Sequence, residues 1–195
     1  MVTFVKLFCG FFLSIFYRIE FIGKENIPEK GAAILYANHV SALDMFCIGF
    51  SIRRLIRWMA KEELFRIPVV GWITPRLGAF PVRRGKADVE SIKTALHKLE
   101  EGHIVGIFPE GTRTKGRDDI KGRAKRGIVA IAMKSEIPLI PVAIDASYKP
   151  FTKVRIIFGE PFQLDFDKEK KYTHEEMTAI SRGLMKKVYS LMGDY

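Results

Sequence analysis

Residues 37–44, ANHVSALD, place His39 five positions before Asp44, with Ser41 between them. An imidazole bonded to a carboxylate through one ring nitrogen is held in a single tautomer, and the other nitrogen is left to take a proton. Its ordinary pKa, near ~6.5, suits proton abstraction at neutral pH. The same letters also describe a helix start, because Ser41 and Asp44 match the capping box S/T-x-x-D/E. On one continuous helix, side chains five residues apart diverge by roughly 140°. With Ser41 as the cap, however, His39 lies before the helix, and the chain can fold its ring back over the first turn towards Asp44. Cap and catalytic pair are therefore compatible.

A base needs a partner to deprotonate. No GxSxG elbow is present, and Cys9 and Cys47 sit in apolar surroundings rather than in a polar, cationic motif. Ser41 is better used as the cap. The proton is then expected to come from a substrate hydroxyl, which implies direct transfer of an activated group onto an alcohol without a covalent enzyme intermediate.

A second polar block, FPEGTRT at 108–114, supplies Glu110, Gly111, Thr112 and Arg113. The glycine lets backbone approach a ligand, and the guanidinium can bind phosphate with two parallel bonds. The same letters also describe an ordinary Pro-Glu-Gly turn carrying a solvated arginine. The run KGRDDIKGRAKRG at 115–127 surrounds Asp118 and Asp119 with basic residues, and GAFPVRRG at 78–85 offers Arg83 and Arg84. Each describes either a solvated surface or a lure for phosphate.

Elements of an α/β domain must position these blocks. AAILYA (32–37), HIVGIF (103–108), LIPVAI (139–144) and KVRIIF (153–158) have the length and composition of buried strands. Between and after them lie helical patterns: Asp88 to Leu99 with Val89, Ile92, Leu96 and Leu99 in register, Ala124 to Ser135, and Thr173 to Leu191 opened by a Thr173/Glu176 capping box. Alternation of this kind predicts a single α/β domain with a mostly parallel central sheet flanked by helices. ANHVSALD and FPEGTRT each follow a strand directly, and ligands of open α/β sheets bind at the carboxyl ends of strands. The two blocks are expected to face one crevice.

The totals narrow the partners. The chain has 195 residues, 48% apolar, with a formal net charge of +10 and a pI near 9.6. That length suits one folded domain, and that charge suits an anionic partner. Nucleic acid is not expected, for no helix-turn-helix, RNP block or zinc-finger spacing occurs. Two cysteines exclude a disulfide framework, and His97, His103 and His174 lack metal-ligand spacing. Leu7 to Tyr17 (LFCGFFLSIFY) is an uncharged, Phe-rich run between Lys6 and Arg18. As a helix it would be about 16 Å long, roughly half of a ~30 Å hydrocarbon core, and too short to span it. No small-residue cleavage site follows. The run is expected to be a short N-terminal membrane-interface helix, with a buried core helix as the alternative. IRRLIRW (52–58) is a second stretch of mixed apolar and basic residues, suited to an anionic leaflet or to a core element with exposed arginines.

Taken together, the blocks resemble the lysophosphatidic acid acyltransferase (1-acyl-sn-glycerol-3-phosphate O-acyltransferase) family of glycerolipid enzymes. The NHxxxxD block of that family is similar to Asn38, His39 and Asp44, and its second block to Gly78-Ala79-Phe80-Pro81-Val82-Arg83. Phe108 to Arg113 resembles the third block, Ile137 to Val142 the fourth, and Lys61-Glu62-Glu63-Leu64 the lysine-bearing segment after the first. The ordered set covers about residues 31 to 145.

The resemblance implies transfer of a fatty acyl group from acyl-CoA or acyl-carrier protein to the sn-2 hydroxyl of lysophosphatidic acid, giving phosphatidic acid. His39 is then the base and Asp44 its orienting partner. Asn38 orders the loop beside the substrate, Glu110 braces the site or touches the acceptor, and Lys61, Arg113 and Arg83 hold the phosphate. Gly111 and Thr112 complete the binding set, with the Gly111 N–H as a candidate oxyanion donor. Cofactor and metal are not expected. Residues 1–22 are expected to anchor a catalytic domain of residues 23–195 to the cytoplasmic face of the membrane. Two alternatives stay open: the same chemistry on glycerol 3-phosphate or another lysophospholipid, and a non-catalytic, peripheral membrane-binding protein.

Overall fold

A computed structural model describes residues 10–11, 13–82, 89–114 and 123–193. Seven strands form one sheet in the order β1-β7-β6-β2-β5-β3-β4. They are β1 (Arg18–Ile22), β2 (Ala33–Ala37), β3 (Ile56–Lys61), β4 (Phe80–Val82), β5 (Ile104–Ile107), β6 (Leu139–Ala146) and β7 (Lys153–Phe158). β6, β2, β5, β3 and β4 run parallel to one another; β7 is antiparallel to β6, and β1 is parallel to β7. The mostly parallel sheet expected from the sequence is present. The reversal at β7 has a simple cause, since residues 147–152 are too few for the crossover that a parallel neighbour requires.

The helices are α1 (helical at residues 10–11 and 13–16), α2 (Asp44–Ser51), α3 (Val70–Arg76), α4 (Val89–Glu100), α5 (Gly127–Ser135) and α6 (His174–Ser190). Central strand β2 shows why the sheet is covered twice. Successive side chains alternate between faces, so Ala33, Leu35 and Ala37 join a core with Leu13, Cys47 and Ile48, while Ile34 and Tyr36 join another with Leu99, Ile131 and Met185. α1 and α2 lie over the first face, and α4, α5 and α6 over the second.

Local sequence explains the helix ends. Thr173 Oγ1 accepts from the Glu176 N–H at 3.2 Å and Glu176 Oε2 accepts from the Thr173 N–H at 2.8 Å, completing the expected capping box of α6. α4 closes with Gly102 at φ 77°: the Gly102 N–H donates to Leu99 and the His103 N–H to Lys98, a Schellman turn that needs the left-handed region. In α4 the expected Ile92, Leu96 and Leu99 face the core together with Ser91 and Ala95, and only Val89 of the expected stripe is exposed. The expected Asp88 cap lies outside the described residues, as do Arg83, Arg84, Asp118, Asp119 and the first residues of the N-terminal apolar run.

Two of the segments singled out in the sequence take part in the sheet. Residues 18–22 are a strand of the sheet, paired with β7, so the folded domain begins inside the segment 1–22 expected to be a separate anchor. In the patch 52–58, the second half is β3, with Ile56 and Trp58 buried. Arg54 donates to the Pro28 and Gly102 carbonyls at 2.9 and 2.7 Å, and Arg57 lies 3.3 Å from His103 Nε2. These arginines tie together the amino ends of the parallel strands, away from His39, which agrees with the reading of the patch as a core element. Of α1, Leu13 is buried while Phe11, Ile15 and Phe16 are exposed. Among the described residues no helix is long and apolar enough to cross a membrane.

Candidate active site

β2 and β5 are neighbours in the sheet, and their carboxyl ends deliver residues 38–44 and 108–114 to one crevice. The first loop is organised around the Asp44 carboxylate, which has no solvent exposure. Asp44 Oδ2 lies 2.8 Å from His39 Nδ1 and accepts from the Val40 and Ser41 N–H groups at 2.7 and 2.8 Å. An ionised carboxylate can only accept, so the imidazole proton sits on Nδ1. Nε2 has no hydrogen-bond partner among the described residues, and His39 lines the cavity.

The helix start differs in detail from the capping box. Asp44 reaches back to the Ser41 N–H, but the Ser41 hydroxyl accepts from Leu43 at 3.3 Å, and α2 opens after Leu43 without a side-chain cap. Only half of the box forms. The other half gives way because the Asp44 N–H bonds to the Ser41 carbonyl at 3.2 Å in a tight turn. That turn brings residues 39–41 over the carboxylate.

Loop 108–114 grips His39 by its backbone. Glu110 Oε2 accepts the His39 N–H at 3.0 Å. The His39 carbonyl accepts from the Thr114 N–H at 2.7 Å and from Thr114 Oγ1 at 3.0 Å. Phe108 stacks on the imidazole with ring centroids 4.1 Å apart and on Trp58 at 4.9 Å, so three rings form one pile across β2, β5 and β3. Gly106 makes room for it: a Cβ there would fall 2.4 Å from the Trp58 ring.

Asn38, expected in the substrate-binding set, has its amide turned into the sheet. Its amide donates to the Ile144 carbonyl at 2.9 Å and accepts from the Ile144 N–H at 2.8 Å, with 2% exposure. Both ends of the amide are spent continuing the β2–β6 ladder, which orders the loop. Glu110 is buried as well, between His39 and the Tyr189 hydroxyl at 2.5 Å, and braces the loop. The Gly111 N–H donates to the Phe108 carbonyl at 3.0 Å and is not available as an oxyanion donor. Gly111 itself is favoured by its φ of 69°, and an added Cβ would also fall 2.7 Å from Cε of Lys125, the movable end of that side chain.

Lys61, Gly111, Thr112 and Arg113 line the same cavity as His39, at the ends of β3 and β5. The cavity is about 1090 Å³, and most of its wall is apolar, including Met45, Phe46, Phe50, Ile73 and Leu77. That volume lies just above the usual range of small-molecule sites and leaves room for a long hydrocarbon chain.

Several contributors carried no local signal. Tyr148, on the β6–β7 turn, donates its hydroxyl to Asp44 Oδ1 at 2.8 Å. Burial, reinforced by the Asp44 charge, raises this phenol above its usual range, so it remains a donor. Cys47 lies 3.7 Å from the same hydroxyl, and burial pushes its thiol up to about 11. Tyr189 comes from α6. Lys125 and Arg126 line the cavity from the start of α5; the basic run containing them was visible in the sequence, their orientation was not.

A family model described as Acyltransferase matches residues 18–145. A 1-acyl-sn-glycerol-3-phosphate acyltransferase of Bacillus subtilis (strain 168) is 35% identical over 186 residues, covering 92% of this chain and 90% of the relative. A chloroplastic protein of the same name from Brassica napus is 32% identical over 142 residues, 71% of this chain and 40% of the relative. The chain thus spans most of the bacterial relative and less than half of the chloroplastic one. Among solved structures, the crystal structure of the 1-acyl-sn-glycerophosphate (LPA) acyltransferase PlsC from Thermotoga maritima superposes with a TM-score of 0.70 at 26% identity, covering 100% of this chain and 80% of that one.

Proposed function

The chain belongs to the acyltransferase family, and from that premise we propose that it transfers a fatty acyl group from a thioester donor to the sn-2 hydroxyl of lysophosphatidic acid, giving phosphatidic acid. The observation that carries the proposal is the His39 Nδ1–Asp44 Oδ2 pair, 2.8 Å apart, in a largely apolar cavity also lined by Lys61 and Arg113.

The chemistry follows from that layout. His39 Nε2 accepts the proton of the acceptor hydroxyl as its oxygen attacks the thioester carbonyl. Asp44 stabilises the imidazolium that forms. The tetrahedral intermediate collapses with cleavage of the C–S bond, and His39 returns the proton to the leaving thiolate, releasing a free thiol. Lys61 and Arg113 bind the acceptor phosphate by charge-assisted bonds. The apolar wall takes hydrocarbon. The donor is acyl-CoA or acyl-carrier protein, both anionic and suited to a +10 chain. The exposed Phe11, Ile15 and Phe16 of α1 are proposed to lie in the interface of the cytoplasmic leaflet, presenting the cavity to its lipid.

The test is turnover by the purified protein with labelled acyl-CoA and acyl-carrier protein, against lysophosphatidic acid, other lysophospholipids and glycerol 3-phosphate. Preference for lysophosphatidic acid is expected. Equal or better use of another acceptor removes this assignment, and absence of transfer with every pair removes the reaction.

A further inference from the structure

The segment between β3 and β4 presents two apolar faces. Val70, Ile73 and Leu77 of the α3 region line the cavity. On the outside, Ile67, Val69 and Trp72 are exposed, Val69 at 69% and Trp72 at 58%. In sequence, nine uncharged residues, IPVVGWITP at 67–75, stand between Arg66 and Arg76. Apolar side chains grouped in this way at a cavity wall mark an interaction surface.

Three features suit this surface to a bilayer. First, the turn satisfies its own backbone: Val70 N–H donates to Pro68, Gly71 N–H to Ile67 and Ile73 N–H to Val69, at 2.7, 2.7 and 2.9 Å. Entry into a poorly hydrated region therefore strands none of these groups. Gly71 permits the compact form, for a Cβ there would lie 2.1 Å from the Phe65 carbonyl oxygen. Val69 is held at φ 67°, a region a β-branched residue seldom adopts. Second, the Arg76 guanidinium sits 3.9 Å from the Trp72 ring centre. A tryptophan paired with a cation is the side-chain grouping found at headgroup level. Third, charge favours an anionic surface: the chain carries +10, and Lys61, Arg113, Lys125 and Arg126 line the adjoining cavity.

We infer that the turn at 67–72 and the outer face of α3 insert into the headgroup region of an anionic bilayer, separately from α1. The cavity wall formed by α3 then meets the leaflet directly. A single-chain acceptor can slide from lipid into the cavity without crossing water. The purpose of this contact rests on the lipid acceptor proposed above, but its measurement does not.

The chain has two tryptophans; Trp58 is 5% exposed but lines the cavity, so the part of a vesicle-dependent emission change that is lost in Trp72→Phe reports Trp72. The full-length protein is titrated with phosphatidylcholine vesicles with and without phosphatidylglycerol, the latter also with brominated acyl chains. Anionic vesicles are expected to shift the emission to the blue and brominated chains to quench it, both effects vanishing in Trp72→Phe. Trp72→Ser is expected to weaken vesicle binding about tenfold, the scale of losing one large apolar contact, while Trp72→Phe retains it. Vesicle binding with Trp72 emission unchanged overturns the inference. So does a dimer that Trp72→Ser converts to monomer with vesicle binding intact, which would assign the surface to a second copy of the chain. Turnover of detergent-dispersed acceptor is read in parallel. Normal turnover with Trp72 left in water defeats this inference alone, and Trp72 insertion without turnover on any acceptor defeats the proposed reaction alone.

Discussion

Tyr148 and His39 hold opposite oxygens of one buried carboxylate: the tyrosine hydroxyl bonds Asp44 Oδ1 and the imidazole Nδ1 lies against Oδ2, each at 2.8 Å. Asp44 has two further bonds from the Val40 and Ser41 N–H groups. Its charge is offset by donors, and its orientation is set from 104 residues away. Tyr148→Phe keeps the ring, which packs edge-on to Tyr17 at 5.6 Å, and removes only the donor. A buried carboxylate oxygen left unpaired costs about 1–3 kcal/mol. Denaturant titration should show a loss of this size, and kcat should fall about tenfold with acceptor KM nearly unchanged, because the base is misaligned rather than the ligand grip lost.

His39→Ala removes the proposed base while sparing the Asp44 bonds to Val40 and Ser41. Acyl transfer should drop to the assay floor with an unaltered far-ultraviolet spectrum. Turnover near that of the parent protein would refute the mechanism.

Arg113 lines the cavity and is exposed. Arg113→Ala should raise acceptor KM by roughly 10- to 100-fold, matching the ~1.5–3 kcal/mol of a charge-assisted bond, with a smaller effect on donor KM. Lys61 also lines the cavity but pairs with Glu63 at 3.1 Å, so Lys61→Ala should act in the same direction and more weakly. Steady-state kinetics with both substrates varied separates the two.

Gly111→Ala tests the turn. The left-handed φ costs a side chain about 1–2 kcal/mol, and the new methyl displaces the end of Lys125. A lowered melting temperature and a raised acceptor KM should appear together. A change in stability alone would show that the Gly111 turn has no part in holding the acceptor.

Cys47 gives a pH prediction. Its thiol is raised from 9.0 to about 11, first by burial, and the Asp44 charge adds to the effect. The folded state therefore holds this proton longer than the unfolded chain. Its contribution to stability is complete below the unfolded value near 9 and is lost as pH rises towards 11. With Cys9 replaced by serine, alkylation of Cys47 at pH 8 should be slow and should accelerate in step with unfolding.

The sequence by itself determined the alternation of strands and helices, the two loops at neighbouring strand ends, and the residue types in them. Those are local properties: hydrophobic runs of strand length, a capping box at Thr173, and the short spacing from His39 to Asp44. The proposal that His39 folds back onto Asp44 could be made from five residues because the turn joining them is itself local. The tertiary structure decided the rest. Nothing in the letters around Asn38 shows that β6 lies beside it, where the Ile144 backbone takes both ends of its amide. Tyr148, Tyr189 and Trp58 reach the site from sequence separations at which no spacing rule operates, and only the packing of the β6–β7 turn, α6 and β3 around the two loops makes them neighbours. The use of Trp72 likewise depends on which side of α3 the cavity occupies. A periodicity can show that a segment is apolar, but only packing shows which apolar atoms are covered, and an uncovered face is where a partner can bind.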